Sequence, residues 1–209
     1  MQYKTTRRLF YGTYQYKIVL VCAGAQMFRA NDMASTILQL QKIDITDKSV
    51  PPWRNTHIKT QDELDYAFKL QAVLSQLTDV ELRVESPWIS IYTNSKTDVD
   101  ILTKLDESKV KYISAPLPNT GLSCDTVIMP KINFEFKVTL GRTTQEHSAF
   151  ITWATGNKKL RLTKSCVIAL NRPRSWGGTY FYITGDNNLL MARMHLGGSI
   201  GKVERIVKQ

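Results

Sequence analysis

Between Glu146 and Asp186 the chain carries Lys158, Lys159, Arg161, Lys164, Arg172 and Arg174 and no acid at all. Cations without local acids suit a polyanion, and six phosphate contacts would give a log–log salt dependence with a slope of roughly −4 to −5. The stretch ends in Arg172-Pro173-Arg174-Ser175-Trp176-Gly177-Gly178, which places an indole between two arginines and two turn-forming glycines. Guanidinium groups hold phosphate while an aromatic ring stacks an unpaired base, so this mixture fits single-stranded nucleic acid. The plainer alternative is that Trp176 anchors the loop into the core and the arginines are solvated.

A second candidate surface follows from strand alternation. If Trp88–Tyr92 and Thr179–Thr184 are strands, Ile89, Ile91, Phe181 and Ile183 face one way. Trp88, Ser90, Tyr92, Tyr180 and Tyr182 then face the other, joined by Glu135 and Lys137 of a neighbouring strand. Aromatics on central strands are how an RNA-recognition motif stacks bases. The signature of that family is absent, so the likeness concerns fold. Packing of two tandem sheets on one another would use the same aromatics. A third candidate is the amino-terminal arm, with Lys4, Arg7 and Arg8 followed by Tyr11.

Catalysis has fewer handles. The three histidines, His57, His147 and His195, have no metal-ligand spacing, and no metal is expected. His147 falls on an apolar helical stripe and reads as a core residue. His195 precedes Leu196-Gly197-Gly198-Ser199-Ile200-Gly201-Lys202, a glycine-rich turn before the last strand. That turn, set in a tandem arrangement, resembles the tandem-ferredoxin endoribonucleases that process CRISPR transcripts. The resemblance covers the architecture and about ten residues, and the glycines here are fewer and more closely spaced. It implies metal-independent RNA cleavage, with His57 or His195 as general base and Lys202 contacting phosphate. A glycine turn that ends a helix accounts for the same residues. Phosphate-binding, dinucleotide-binding and nucleophile-elbow motifs are missing, so no cofactor or small-molecule substrate is expected.

The elements that must position these residues recur along the chain. Residues 14–21 read as a strand, and Thr60-x-x-Glu63 forms a capping box that opens a helix carrying Leu64, Ala67, Leu74 and Leu77. Strands at 80–85 and 88–92, a helix after Asn94-Ser95 and a strand at 110–114 complete a β-α-β-β-α-β order. The order then repeats. A strand spans 132–140, a second Thr-x-x-Glu cap lies at Thr143 and Glu146, and strands fall near 159–163 and 179–184. The first of these reads as extending to Leu170. A helix near 188–195 and a strand at 202–207 close the unit.

The expected class is α+β, with two tandem ferredoxin-like (RRM-like) βαββαβ units and antiparallel sheets. Residues 1–114 form the first unit with its basic arm, 115–130 a linker, and 131–209 the second, strongly basic unit.

Charge follows the same division. Residues 1–130 carry 15 Lys and Arg against 14 Asp and Glu, whereas residues 131–209 carry 13 against 4. A surplus confined to one half marks a polyanion-binding surface. No apolar run is long enough to span a membrane. Three scattered cysteines read as reduced thiols of a cytoplasmic protein. The function expected is non-catalytic binding of single-stranded nucleic acid, RNA in preference to DNA, by the second unit. The alternatives are the endoribonuclease named above and a structural or adaptor component of a viral or other large assembly. Oligomeric state does not follow from the residues.

Overall fold

The computed structural model of the chain describes residues 2–46, 58–118 and 121–208 and divides into two units, Met1–Gly121 and Leu122–Gln209. The architecture is mixed α+β, with a five-stranded sheet in each unit. Among the described residues no helix is long and apolar enough to cross a membrane.

The first unit contains β1 (Gln2–Thr6), β2 (Tyr16–Val21), α1 (Met33–Leu40), α2 (Gln61–Leu74), β3 (Glu81–Glu85), β4 (Trp88–Thr93), α3 (Lys96–Leu105) and β5 (Val110–Pro116). Alternation turns Ile18, Leu20, Ile89, Ile91 and Ile113 towards Ala67 and Leu70 of α2 and Leu102 of α3, which form the core. Each helix starts where its sequence supplies an acceptor for exposed amides. Thr60 and Glu63 make the full capping box of α2, Ser95 accepts from Asp98 N in α3, and Asp32 accepts from Ala34 N and Ser35 N in α1.

The second unit contains β6 (Thr126–Ile128), β7 (Phe136–Leu140), α4 (Ser148–Thr155), β8 (Leu160–Leu162), α5 (Lys164–Leu170), β9 (Tyr180–Ile183), α6 (Asp186–Leu196) and β10 (Ile200–Val207). Its core gathers Val138, Leu140, Phe150, Phe181, Ile183 and Ala192.

The two sheets share one plan, ordered β1-β5-β2-β4-β3 and β6-β10-β7-β9-β8. In each, the closing strand lies between the first core strand, antiparallel, and an earlier strand that runs parallel to it. The sheets are therefore not wholly antiparallel as expected. The added strands come from segments that read as an arm and a linker. Gln2–Thr6 pairs with Tyr112–Pro116, and Thr126–Ile128 with Arg205–Val207. Short polar sequences such as Gln-Tyr-Lys-Thr-Thr carry little periodicity, so backbone pairing decides their state.

Two further differences lie in the second unit. Thr143 does not cap a helix. Its amide donates to Ser175 O (2.9 Å) and its carbonyl accepts from Ser175 N (3.1 Å), which holds it extended, and α4 begins after His147. The segment that reads as a continued strand to Leu170 is helix α5, because Thr163 Oγ1 accepts from Cys166 N and starts a turn.

In both units the segment leading from the added strand into the core lies across the sheet face opposite the helices. Phe10 and Tyr11 place their rings 5.5 and 4.9 Å from Tyr92 in the first unit. Phe134 stacks on Tyr182 at 5.8 Å and 20° in the second.

Candidate nucleic-acid interface

Strand register brings five of the expected residues of the second unit to one sheet face. Lys137 pairs with Tyr182 and Thr139 with Tyr180, Arg161 pairs with Tyr182, and Lys202 pairs with Thr139. The Lys137 ammonium lies 4.3 Å above the Tyr180 ring, which meets Tyr182 edge-on at 5.5 Å.

This face is not a bare stacking platform. Tyr182 is only 6% exposed, because Phe134 covers its ring and Val127 and Ile206 pack beside it. Burial, with a hydrogen bond to Tyr180, pushes the Tyr182 hydroxyl up from its ordinary pKa. A base would have to displace Phe134 to reach that ring, so Tyr182 serves the fold in this conformation. Two of the cations are also engaged internally. Glu204 is 1% exposed, and its carboxylate oxygens lie 3.2 Å from Lys202 Nζ and 3.9 Å from Lys137 Nζ. In sequence, Lys-Val-Glu-Arg alternates like any solvated strand, which hides the buried acid.

A second group lies at the end of the sheet where β7 finishes and β9 begins. The loop after α5 is fastened there by backbone. Gly178 N donates to Leu140 O (2.8 Å), and Thr143 and Ser175 exchange two hydrogen bonds. Gly177 has φ +84°, and a Cβ on it would stand 2.5 Å from the carbonyl carbon of Gly141. On the other side, a Cβ on Gly201 would meet Gly141 N at 2.9 Å. Three glycines thus let three backbone segments meet.

Trp176, next to this lock, is 89% exposed and does not anchor the loop into the core. Its ring carries the Arg142 guanidinium at 5.3 Å, a cation–π contact. Arg172 and Arg174 are exposed on the same loop, and Lys164 begins α5 at the same end of the sheet, where Thr163 Oγ1 donates to Tyr180 O. Arg142 escapes a sequence reading because it stands apart from the other cations, and only the Thr143–Ser175 bridge carries it to Trp176.

The remaining candidates lie elsewhere. Lys158 and Lys159 are exposed at the opposite end of β8, where Lys159 O accepts from Thr184 N (3.0 Å). Lys158 and Lys159 therefore lie at one end of edge strand β8 and Lys164 at the other, with Arg161 between them, while Arg172 and Arg174 lie on the loop fastened to the end of β7. Arg7 and Arg8 follow β1 in the first unit and are exposed.

His57 lies outside the described residues. His195 stacks on Trp153 at 5.2 Å and 27°, beside Phe150, which is a packing position. The histidine that touches the glycine-rich turn is His147, whose Nε2 is 3.1 Å from Ser199 Oγ with both residues buried. It sits at the helix N-cap rather than on the apolar stripe. Among the described residues, no three His, Cys, Asp or Glu side chains gather as metal ligands would.

No known protein family, curated protein or solved structure matches this chain.

Proposed function

We propose that the second unit binds single-stranded nucleic acid, RNA in preference to DNA, at the sheet end built around Trp176. We read both units as ferredoxin-like βαββαβ cores, each extended by one parallel strand. The observation that carries the functional reading is an indole almost wholly in solvent on a loop locked by glycine contacts, with Arg142, Arg172 and Arg174 beside it. An indole held in solvent by a fastened loop keeps its face free to stack, and cations beside it suit an anionic, planar ligand. The nine-charge surplus of residues 131–209 supports the same reading by drawing a polyanion to this unit. A reducing, cytoplasmic setting suits the three free thiols.

The test is an anisotropy titration of labelled single-stranded RNA, single-stranded DNA and duplex at two salt concentrations, with a parallel incubation in EDTA. Arg142, Lys164, Arg172 and Arg174 as phosphate contacts give a log–log salt slope of roughly −3 for a single strand. Recovery of intact RNA separates binding from cleavage. Affinity that is independent of salt, or unchanged when Arg142, Arg172 and Arg174 are reversed to Glu, would remove the assignment.

A further inference from the structure

Gly141 is shared by two surfaces. On one side it touches Gly177 and so the Trp176 loop. On the other it touches Gly201, which borders an open cleft of about 650 Å³. Arg193, Gly197, Lys202, Cys124 and Asp125 line that cleft. The backbone of the Trp176 loop and the Gly201 rim of the cleft thus pack against the same glycine, which puts both on one end of the second unit's sheet.

The chemistry of the cleft is mixed. Arg193, exposed in the last turn of α6, and Lys202, half-exposed despite its contact with Glu204, supply positive charge. Asp125 supplies a carboxylate whose Oδ1 accepts from Ser123 Oγ at 2.8 Å. That hydrogen bond, a backbone amide and the nearby Arg205 and Lys202 charges hold its carboxyl below the ordinary range, so it is an acceptor at neutral pH. An acid in a phosphate-binding cleft repels RNA and DNA alike. A hydrogen bond from a 2′-hydroxyl, which deoxyribose lacks, offsets that repulsion for RNA alone.

We propose that this cleft seats the ribonucleotide next to the one stacked on Trp176, with Arg193 and Lys202 facing its phosphate and Asp125 accepting from its 2′-hydroxyl. The proposal rests on the reading of the second unit as a single-strand binder and deepens it by naming the sugar. Arg193 and Asp125 become binding residues, and the preference for RNA acquires a specific atom.

The experiment compares three oligonucleotides of one sequence, as RNA, DNA and 2′-O-methyl RNA, on the full chain and on its Asp125→Ala and Arg193→Ala variants. Wild type is expected to bind RNA at least about tenfold more tightly than either analogue, the scale of a hydrogen bond to a charged group. Asp125→Ala brings the three affinities within about threefold of one another, chiefly by weakening RNA. Arg193→Ala weakens all three together. The 2′-O-methyl strand keeps RNA-like geometry without the donor, so its loss on the wild-type protein reads out the hydroxyl with no mutation. Equal wild-type binding of RNA and 2′-O-methyl RNA, or an RNA preference that survives Asp125→Ala, overturns the proposal while leaving single-strand binding intact. Failure of wild type to bind any strand overturns the underlying reading as well.

Discussion

Lys202 Nζ lies 3.2 Å from Oε1 of Glu204, a carboxylate almost fully removed from solvent on the sheet face that lacks helices. Lys137 approaches the other oxygen at 3.9 Å. Both cations share this buried acid, and Lys202, the more exposed at 48% against 11% for Lys137, is the one that still faces a ligand. Replacing Glu204 with Gln leaves two ammonium groups facing each other across a neutral amide. The substitution removes the buried charge itself and Lys202 is half in solvent, so the expected loss of stability is about 1 kcal/mol. A lowered urea midpoint with unchanged m-value would show it; an unchanged midpoint would mean the acid is dispensable.

Trp176 and its neighbouring glycines separate binding from folding. Trp176→Ala removes a side chain that buries little, so stability should move by no more than about 0.5 kcal/mol. RNA affinity should fall by roughly 5- to 150-fold, the span measured for loss of one stacked base. Anisotropy and thermal melts on the same preparation check both halves.

Gly177→Ala should act in the opposite order. The added methyl would overlap Gly141 backbone at 2.5 Å and force an L-residue to φ +84°. Destabilisation of about 2 kcal/mol is expected, together with weakened RNA binding although Trp176 is intact. Gly178→Ala is the matched control, since φ is +82° there but nothing stands within 4 Å of the new atom. It should carry backbone strain alone, about 1 kcal/mol. Chemical denaturation of the two variants side by side distinguishes overlap from strain.

Two buried thiols make stability fall in alkali. Burial pushes Cys22 up from 9.0 to about 11 and Cys166 up from 9.0 to about 12. Between those limits the folded chain keeps protons that the unfolded chain has released, so unfolding is favoured as pH rises. The contribution is complete below about pH 9 and is lost progressively by about pH 11 for Cys22, amounting to about 3 kcal/mol. Cys22→Ala should flatten that slope even if it lowers stability at pH 7 by leaving a small void. Urea melts at intervals from pH 7 to 11 measure it. At pH 7.5 a thiol reagent should modify the exposed Cys124 well before the two buried cysteines.

Much of the framework was legible because local chemistry and tertiary demand agree. Thr60 with Glu63, and Ser95 with Asp98, start helices where their hydrogen bonds require it. The alternation of Ile18, Leu20, Ile89 and Ile91 matches a half-buried sheet. Where the reading failed, a distant partner had overruled a local signal. Thr143 and Glu146 spell a capping box, yet Ser175, 32 positions downstream, holds Thr143 in a bridge. Lys164–Leu170 is apolar enough for a strand, and one threonine hydroxyl turns it into a helix. At the candidate site, Trp176, Arg172 and Arg174 could be found from composition. Arg142, Asp125 and Arg193 could not, since the Thr143–Ser175 bridge carries Arg142 to Trp176 and the pairing of β6 with β10 sets Asp125 beside the strand of Lys202 at the end of α6, and neither leaves a mark on spacing. Glu204 was hidden for the same reason.

The parallel pairing of β1 with β5 and of β6 with β10 has a mechanical consequence. Tension applied through the chain pulls the start of each first strand and the end of its partner in opposite directions along their common axis. Parallel neighbours under that load slide in shear, so every hydrogen bond between them must yield together rather than one after another. With five paired positions in the first unit and three in the second, the first should be the last to give way under force.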